Sequence, residues 1–377
     1  MSRKTVVCVV GTRPEAIKMA PVVLALRSQG YFDVKILATG QHSTMLDQAL
    51  GHFKLTADVN LHIMKERQSL DHITSSVLTG AGEYYDSLEP AAVLVHGDTT
   101  TTFAAALAGF YRKIPVGHVE AGLRSGNMHL PFPEEMNRVL TDRITTWAFA
   151  PTELAKENLL CEGTQEDMIL VTGNTVIDAL YYTVKGTSKP LCPELTRLPQ
   201  DAPFLLVTAH RRESWGKPLE DICSSLTMLL DAHPELWMVI PMHRNPSVRE
   251  TIRKYLEERE KVILCDPLDY PDFVWAMNAS MFILSDSGGV QEEASAIKKP
   301  VLILRDVTER PEAVEKGSGV IVGVDREKIY SNAIELLENK DHFTEIENKC
   351  RFQPFGDGTA SLKIADALKE YFEKNRK

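Results

Sequence analysis

Residues 6–18 read Val-Val-Cys-Val-Val-Gly-Thr-Arg-Pro-Glu-Ala-Ile-Lys. The five apolar residues predict a buried strand, the glycine predicts a turn, and the proline suits the first turn of a helix. A strand that runs directly into a helix begins a βα unit, from which parallel sheets are built. The apolar run is too short for the core of a signal peptide, so we interpret it as structure.

The same alternation of short aliphatic runs and longer amphipathic segments continues along the chain and predicts two series of strands. The first series is 6–10, 34–38, 92–96, 115–119, 147–150 and 169–171, and the second is 204–208, 238–241, 262–265, 281–285, 301–304 and 320–322. Because 377 residues exceed one ordinary core, we expect an α/β protein with two doubly wound domains. Composition alone places a linker at the proline-rich stretch 185–203.

The charge balance restricts the class of partner. Asp and Glu number 52 and Lys and Arg number 42, which gives a formal net charge of −10. Binding to nucleic acid or to an anionic membrane surface requires a basic face, so we expect neither partner. No apolar stretch approaches the roughly 20 residues of a membrane span. An anionic ligand would need a dedicated pocket built from local cations and helix N-termini.

The cysteine spacing argues against a metal cage, a redox pair or a disulfide scaffold. The six cysteines lie at least 31 positions apart, with no C-x-x-C pair, and the chain has no H-E-x-x-H or D-x-D motif. We therefore expect a reduced, cytoplasmic and soluble protein without a metal ion or cofactor. Cationic side chains would then have to neutralise any departing phosphate.

Two strand-to-helix turns are candidate anion sites. Arg13 and Lys18 follow the first strand, where free backbone N–H groups and the helix dipole attract a pyrophosphate. Ser287, Gly288 and Gly289 follow the strand at 281–285 and could donate to phosphate oxygens, while Glu293 could accept hydrogen bonds from a ribose diol. The alternatives are an ordinary βα turn at the first site and a simple glycine-rich helix start at the second.

Carboxylates follow two predicted strands of the first half, and a third opens a predicted helix. Asp98 and Glu120 lie at strand ends, and Glu134 is spaced to meet Arg138 on one helix face. Carboxylates gathered at one sheet edge push their pKa values apart, as proton transfer requires. Taken singly, Asp98 could be a helix N-cap and Glu134 with Arg138 a surface ion pair.

In the second half, His210 and Arg211 follow the strand at 204–208, and His243 follows the next strand. A histidine at such an edge can bind a phosphate, transfer a proton or cap the strand, and the residues alone leave these roles open.

Together these motifs resemble the bacterial non-hydrolysing UDP-N-acetylglucosamine 2-epimerases, in matching order from the first strand to the terminal helix. The matching segments are 11–15, 40–42, 96–99, 119–124, 133–138, 210–213 and 286–289. The resemblance implies two Rossmann-like domains of the glycosyltransferase-B type that face a cleft, and a homodimer. The domains would be 1–172, joined by the terminal helix 359–377, and the UDP-binding 173–358. The boundary would then lie near Gly173, and the proline-rich stretch would be a loop.

The resemblance also implies the reaction, interconversion of UDP-N-acetylglucosamine and UDP-N-acetylmannosamine through a 2-acetamidoglucal, which supplies precursors of surface polysaccharide. The acid/base candidates would be Asp98, Glu120 and Glu134, with His210 acting in catalysis or on the phosphates. The substrate-binding candidates would be Arg13, Lys18, Arg138, Arg211, Phe273 on uracil, Ser287, Gly288, Gly289, Glu293 on ribose, and Arg310. Phe273 could instead be a core aromatic.

Some members of that family carry a second, activating UDP-N-acetylglucosamine site. The matching positions in this sequence are Gln41, His42, Arg67, Glu134, Arg211 and His243. Thr44 departs from the glutamine of the activated members, so the resemblance leaves activation open. Epimerases of diamino or uronic UDP sugars, a retaining glycosyltransferase and a catalytically silent nucleotide-sugar sensor remain alternatives.

Overall fold

The computed structural model describes residues 3–40, 43–65, 68–209, 211, 214–306, 311–315, 319–350 and 353–375. By packing, the chain divides into two compact units, Met1–Ala179 with Phe355–Lys377, and Leu180–Pro354. Each unit contains one parallel sheet with helices, which confirms the predicted α/β class. The domain boundary expected near Gly173 stays a prediction.

The described residues form thirteen strands. They are β1 Lys4–Val10, β2 Phe32–Ala38, β3 Val59–Asn60, β4 Ala92–His96, β5 Val116–Val119, β6 Trp147–Ala150, β7 Ile169–Val171, β8 Phe204–Thr208, β9 Trp237–Pro241, β10 Val262–Cys265, β11 Ile283–Ser285, β12 Val301–Ile303 and β13 Gly319–Ile321. The first sheet has the order β3-β2-β1-β4-β5-β6-β7 and the second has the order β10-β9-β8-β11-β12-β13. Both orders reverse direction once, as in doubly wound folds.

Helices follow almost every strand. They are α1 Arg13–Ser28, α2 Ser43–His52, α3 Leu70–Leu88, α4 Thr100–Tyr111, α5 Glu134–Arg143, α6 Glu153–Cys161, α7 Thr175–Gly186, α8 Lys217–Ala232, α9 Pro246–Leu256, α10 Tyr270–Ala279, α11 Gly288–Ala296, α12 Pro311–Glu315, α13 Arg326–Glu338, α14 Lys340–Lys349 and α15 Ala360–Lys374. In the described residues no helix is both long and apolar enough to cross a membrane.

The predicted strands agree with the observed ones except at β3, which the sequence analysis missed. This two-residue strand pairs with the end of β2 at the edge of the first sheet. Its residues are only half-buried, so they lack the apolar run that marks the central strands. The proline-rich stretch 185–203 is also not a linker, because it lies within the second unit and buries Leu195.

The terminal helix α15 packs within the first unit. Gln29 at the end of α1 donates to Asp366 Oδ1 over 2.7 Å, and the Trp147 and Tyr371 rings meet edge to face. The buried Asp178 of α7 accepts from the backbone N–H groups of Ala360 and Ser361, which satisfies donors that a helix start leaves unpaired.

Candidate active site

The strand order of each sheet locates its ligand-binding edge. In open parallel sheets, ligands bind beyond the carboxyl ends of the strands, where the strand order reverses. That point lies between β1 and β4 in the first sheet and between β8 and β11 in the second. The candidate residues of the two turns therefore stand at the reversal point of their own sheet.

In the first unit, the buried carboxylate of Glu15 joins the loop after β1 to the loop after β4 by hydrogen bonds, across the point where the strand order reverses. It accepts from the backbone N–H groups of Gly11 at 2.5 Å and Thr12 at 2.7 Å, and from the hydroxyls of Thr99 at 2.5 Å and Thr102 at 3.2 Å. Burial raises the pKa of this carboxyl, and the four donors oppose that rise. Gly11 permits the close approach, because a Cβ there would lie 2.6 Å from Thr101 Oγ1.

Glu120 lies directly after β5 and is held by groups from three other segments. Its Oε1 accepts from Lys18 Nζ at 2.6 Å and from Asn174 Nδ2 at 2.7 Å, and its Oε2 lies 3.3 Å from His96 Nε2. The side chain is only 8% exposed. The backbone φ of Glu120 is 71°, a left-handed conformation that is uncommon for a residue with a Cβ and is concentrated at functional sites.

His96 ends β4 and lies against this carboxylate. Burial lowers its pKa to about 3, although the charge of Glu120 acts in the opposite direction. Neither ring nitrogen makes a well-directed hydrogen bond within the described chain. His96 is therefore a neutral imidazole beside a charged carboxylate at the sheet edge.

Asp98 is anchored by an arginine from α5. Its Oδ2 accepts from the Arg138 guanidinium at 2.5 Å, and its backbone oxygen accepts from Asn137 Nδ2 at 2.9 Å. Asp98 is not the helix N-cap that we considered as an alternative, because the hydroxyl of Thr99 caps α4 by accepting from Thr102 N. The Asp98 side chain remains 31% exposed and so is accessible from outside the fold.

The expected contact between Glu134 and Arg138 is wrong. Arg138 lies 3.3 Å from the buried Glu135 instead and reaches Asp98 on its other side. Glu134 is the first residue of α5 and is half-buried, and its side chain makes no hydrogen bond or ion pair with any residue that the structure describes. Its carboxylate is thus available to an external group.

In the second unit, the buried Asp286 connects neighbouring loops by hydrogen bonds, as Glu15 does in the first unit. Its Oδ2 accepts from the backbone N–H of Arg211 at 2.8 Å and from the hydroxyl of Ser214 at 3.2 Å. Ser285 at the end of β11 shares a hydrogen bond of 2.7 Å with Thr208 at the end of β8. The half-buried Arg211 is thereby fixed beside the start of α11.

The start of α11 presents the predicted Ser287, Gly288 and Gly289. Ser287 occupies the N-cap position without a side-chain capping bond, so the hydroxyl does not satisfy the first N–H groups of the helix. Glu293 is buried and accepts from the hydroxyl of Tyr270 at 2.8 Å. Burial, followed by the Glu293 charge, raises the pKa of Tyr270 well above its usual value.

The remaining candidates fall into two groups. His210, Arg310, Gln41, His42 and Arg67 lie outside the described residues. Within the described residues, Arg13 is the first residue of α1, and both Arg13 and Phe273 of α10 are half-buried. His243 is exposed, and its Nδ1 accepts a hydrogen bond from Asn245 N.

Sequence reasoning assigned no role to three groups at these edges: Asn174, which it did not single out, and His96 and Asp286, which it placed only within matching segments. Asn174 follows β7 just as Asp98 follows β4, so the rule of polar residues after strands could have found it. The described ranges contain no group of three or more His, Cys, Asp or Glu side chains placed to hold a metal ion.

The chain is similar to known proteins over nearly its whole length. A family model described as UDP-N-acetylglucosamine 2-epimerase matches residues 24–369. Proteins of that name are 45% identical in Escherichia coli K12, over 97% of this chain and 98% of the relative, and 48% identical in Bacillus subtilis 168, over 98% and 96%. The UDP-GlcNAc 2-epimerase of Neisseria meningitidis, solved with UDP-GlcNAc bound, has a TM-score of 0.86 at 44% identity, covering 97% of this chain and 100% of that one.

Proposed function

Because the chain belongs to the UDP-N-acetylglucosamine 2-epimerase family, we propose that it interconverts UDP-N-acetylglucosamine and UDP-N-acetylmannosamine by elimination and re-addition of UDP. We propose further that it works as a homodimer and supplies precursors of surface polysaccharide. The observation that carries the mechanism is the arrangement of Glu120, whose carboxylate is held by Lys18 and Asn174 at the edge of the first sheet.

The chemistry of the sugar explains why elimination is needed. Carbon 2 of the sugar is not bonded to a carbonyl carbon, so direct removal of its proton would leave an unstabilised carbanion. If the C1–O bond to UDP breaks as a carboxylate takes the carbon 2 proton, the electron pair of the C–H bond forms the C1=C2 double bond of a 2-acetamidoglucal. UDP then re-adds at carbon 1, and a proton reaches carbon 2 from the opposite face.

Inversion at carbon 2 requires proton transfer on both faces of the ring, so more than one acid/base group is needed. Asp98, Glu120 and Glu134 are the proposed groups. The carboxylate of Glu134 makes no hydrogen bond or ion pair with a described residue, which supports this role, whereas Asp98 and Glu120 are each oriented by a cation. Orientation by Arg138 and Lys18 holds the two carboxylates in place without covering them fully.

The second unit is proposed to bind the uridine diphosphate. The first N–H groups of α11 and the adjacent Arg211 suit phosphate oxygens, because a helix start combines free donors with a favourable dipole. We propose that Arg13 and Lys18 stabilise the charge that develops on the departing pyrophosphate. Glu293 on ribose, Phe273 on uracil, and His210 and Arg310 near the phosphates complete the proposed set.

Deuterium exchange tests the reaction directly. The protein is incubated with UDP-N-acetylglucosamine in deuterated water, and both epimers are analysed by NMR. We expect UDP-N-acetylmannosamine to form and deuterium to appear at carbon 2 of both sugars. Unchanged, unlabelled substrate at high protein concentration would refute the proposal, and UDP binding without exchange would indicate a nucleotide-sugar sensor.

The exact sugar is tested by comparing rates. UDP-N-acetylglucosamine should have a higher kcat/KM than diamino or uronic UDP sugars, each assayed over a range of concentrations with the same protein. A higher kcat/KM on one of the other sugars would reassign the substrate while leaving the epimerase chemistry in place. Sedimentation of the protein at micromolar concentration tests the dimer.

A further inference from the structure

A buried histidine–aspartate pair lies beneath the candidate site of the first unit. His118, in the middle of β5, is fully buried and sits between two acceptors. Its Nδ1 lies 2.5 Å from Asp142 Oδ1, and its Nε2 lies 2.7 Å from the backbone oxygen of Gly97. A neutral imidazole has one N–H donor, so both contacts are hydrogen bonds at once only when each ring nitrogen carries a proton.

Asp142 is surrounded by further donors. Its Oδ2 accepts from the Arg124 guanidinium at 2.8 Å and from Gly122 N at 3.2 Å, and Arg124 also binds Glu162 at 2.7 Å. Although burial acts to raise the pKa of Asp142, the neighbouring His118 and Arg124 hold it below its usual value. The carboxylate is therefore ionised and can orient the ring of His118.

The two backbone groups bound by this pair belong to the loops of the candidate site. Gly97 immediately precedes Asp98 and has a φ of 70°, and Gly122 lies two residues after Glu120 and has a φ of 84°. At both glycines the backbone is left-handed, a conformation that glycine adopts without steric cost, so the hydrogen bonds to this pair help to fix which of its allowed conformations each loop adopts. His118 and Asp142 thus hold one backbone atom in each loop that carries a candidate carboxylate.

We propose that His118 and Asp142 are positioning residues, which fix Asp98 and Glu120 for proton transfer; this inference rests on the proposed epimerase function. Stability alone is a weak reason to bury these charges, because apolar residues of similar size often stabilise a core as well or better. Catalysis supplies a stronger one, since a displacement of about 1 Å at a reacting group can cost roughly a hundredfold in rate.

Two substitutions of His118 separate an effect on the positions of Asp98 and Glu120 from an effect on stability. The side-chain amide of glutamine can replace Nε2, and that of asparagine can replace Nδ1. His118→Gln can place its amide nitrogen near the Nε2 position and keep the bond to Gly97, but it removes the Nδ1 contact with Asp142 Oδ1. His118→Asn can keep the bond to Asp142 and loses the bond to Gly97. We expect His118→Gln to be the less stable variant and yet the more active one.

The measurements are kcat, KM and the thermal unfolding midpoint. We expect kcat of His118→Asn to fall about tenfold below that of His118→Gln, the equivalent of about 1.4 kcal/mol, with KM within about twofold of the unsubstituted protein. If kcat instead follows stability, so that His118→Asn is both more stable and more active, the positioning role is wrong.

Two further variants serve as a second test and as a control. Asp142→Asn keeps an acceptor of the same size, so it remains informative if neither His118 variant folds; we expect its kcat to fall several-fold with KM unchanged, and an unchanged kcat would overturn the proposal. Glu162→Gln, at the outer end of the same chain of charges, should keep kcat within about twofold. Failure of the unsubstituted protein to exchange deuterium would refute the epimerase function instead.

Discussion

Lys18 Nζ lies 2.6 Å from Glu120 Oε1, although 102 residues separate the two in the chain. The strand order explains the contact, because the loops after β1, β4 and β5 open at the same sheet edge. Asn174 donates to the same oxygen from the loop after β7, so Oε1 has two donors and Oε2 faces His96. The Glu120 carboxylate therefore has one fixed orientation.

Asn174→Ala should lower kcat, and because the Asn174 side-chain oxygen also accepts from Val176 N at the start of α7, it should cost about 1 kcal/mol of stability as well. Loss of the amide removes one of the two described donors to Glu120 Oε1, and a lost hydrogen bond of about 1 kcal/mol corresponds to a rate loss of roughly fivefold. The measurement is the steady-state rate of epimerisation. Asn332→Ala is the matched control, because its amide donates to the backbone oxygen of Lys328 within the exposed face of α13. Equal rates for the two variants would contradict the role of Asn174.

Asp98→Asn should abolish turnover while UDP binding stays within a few-fold. The amide occupies the same volume but cannot take up a proton as the carboxylate does. Deuterium exchange measures turnover, and calorimetric titration with UDP measures binding.

The control for Asp98→Asn is Asp86→Asn. Asp86 also pairs with an arginine, Arg112, but on the exposed surface. If Asp98→Asn retains a near-normal rate, Asp98 is a structural partner of Arg138 and not an acid/base group.

The fold was predictable because each buried strand of a parallel sheet is a continuous apolar run, which is visible in the sequence without any knowledge of its neighbours. Polar residues at the ends of those runs, such as Asp98 and Glu120, were predictable for the same reason. Asp286 lies in the matching segment 286–289, but its role as an acceptor for Arg211 N depends on a contact across 75 residues, which the local sequence does not show.

Helix spacing gave a wrong partner for Arg138. A spacing of four residues pointed to Glu134, but such a pair on a helix surface contributes only about 0.3–0.5 kcal/mol. Arg138 reaches Asp98 across 40 residues and the buried Glu135 instead, where water screens the charges less. Local spacing cannot reveal this choice, because it depends on which carboxylates the fold brings to the same edge.

Glu15→Gln should destabilise the first unit by about 1–3 kcal/mol. The carboxylate accepts four hydrogen bonds, and the glutamine amide would turn one of its two acceptor oxygens into a donor that faces other donors. Urea unfolding followed by circular dichroism measures the free energy. Glu153→Gln is the control, since Glu153 also lies in the first turn of a helix but is exposed; a loss of equal size in both variants would exclude a special role for Glu15.

His96 should make the stability of the protein fall as the pH is lowered from neutrality. Its pKa is lowered from 6.5 to about 3 by burial, with Glu120, Lys18 and His118 as the charged or titratable neighbours. Below about pH 6.5 the unfolded chain binds a proton at His96 that the folded protein does not bind until about pH 3. The neutral ring of His96 therefore makes its full contribution to the free energy of unfolding above pH 6.5. That contribution is lost as the pH falls towards 3, with a slope of up to about 1.4 kcal/mol per pH unit.

The variant His96→Asn, which cannot take up this proton, tests the sign of that dependence. Urea unfolding at pH 7, 6 and 5 should give a shallower loss of stability in His96→Asn than in the unsubstituted protein, by up to one proton per molecule. His129→Asn, at an exposed position, should keep the original slope. Identical slopes in His96→Asn and the unsubstituted protein would show that His96 takes up its proton equally in the folded and unfolded states, and so is not held neutral beside Glu120.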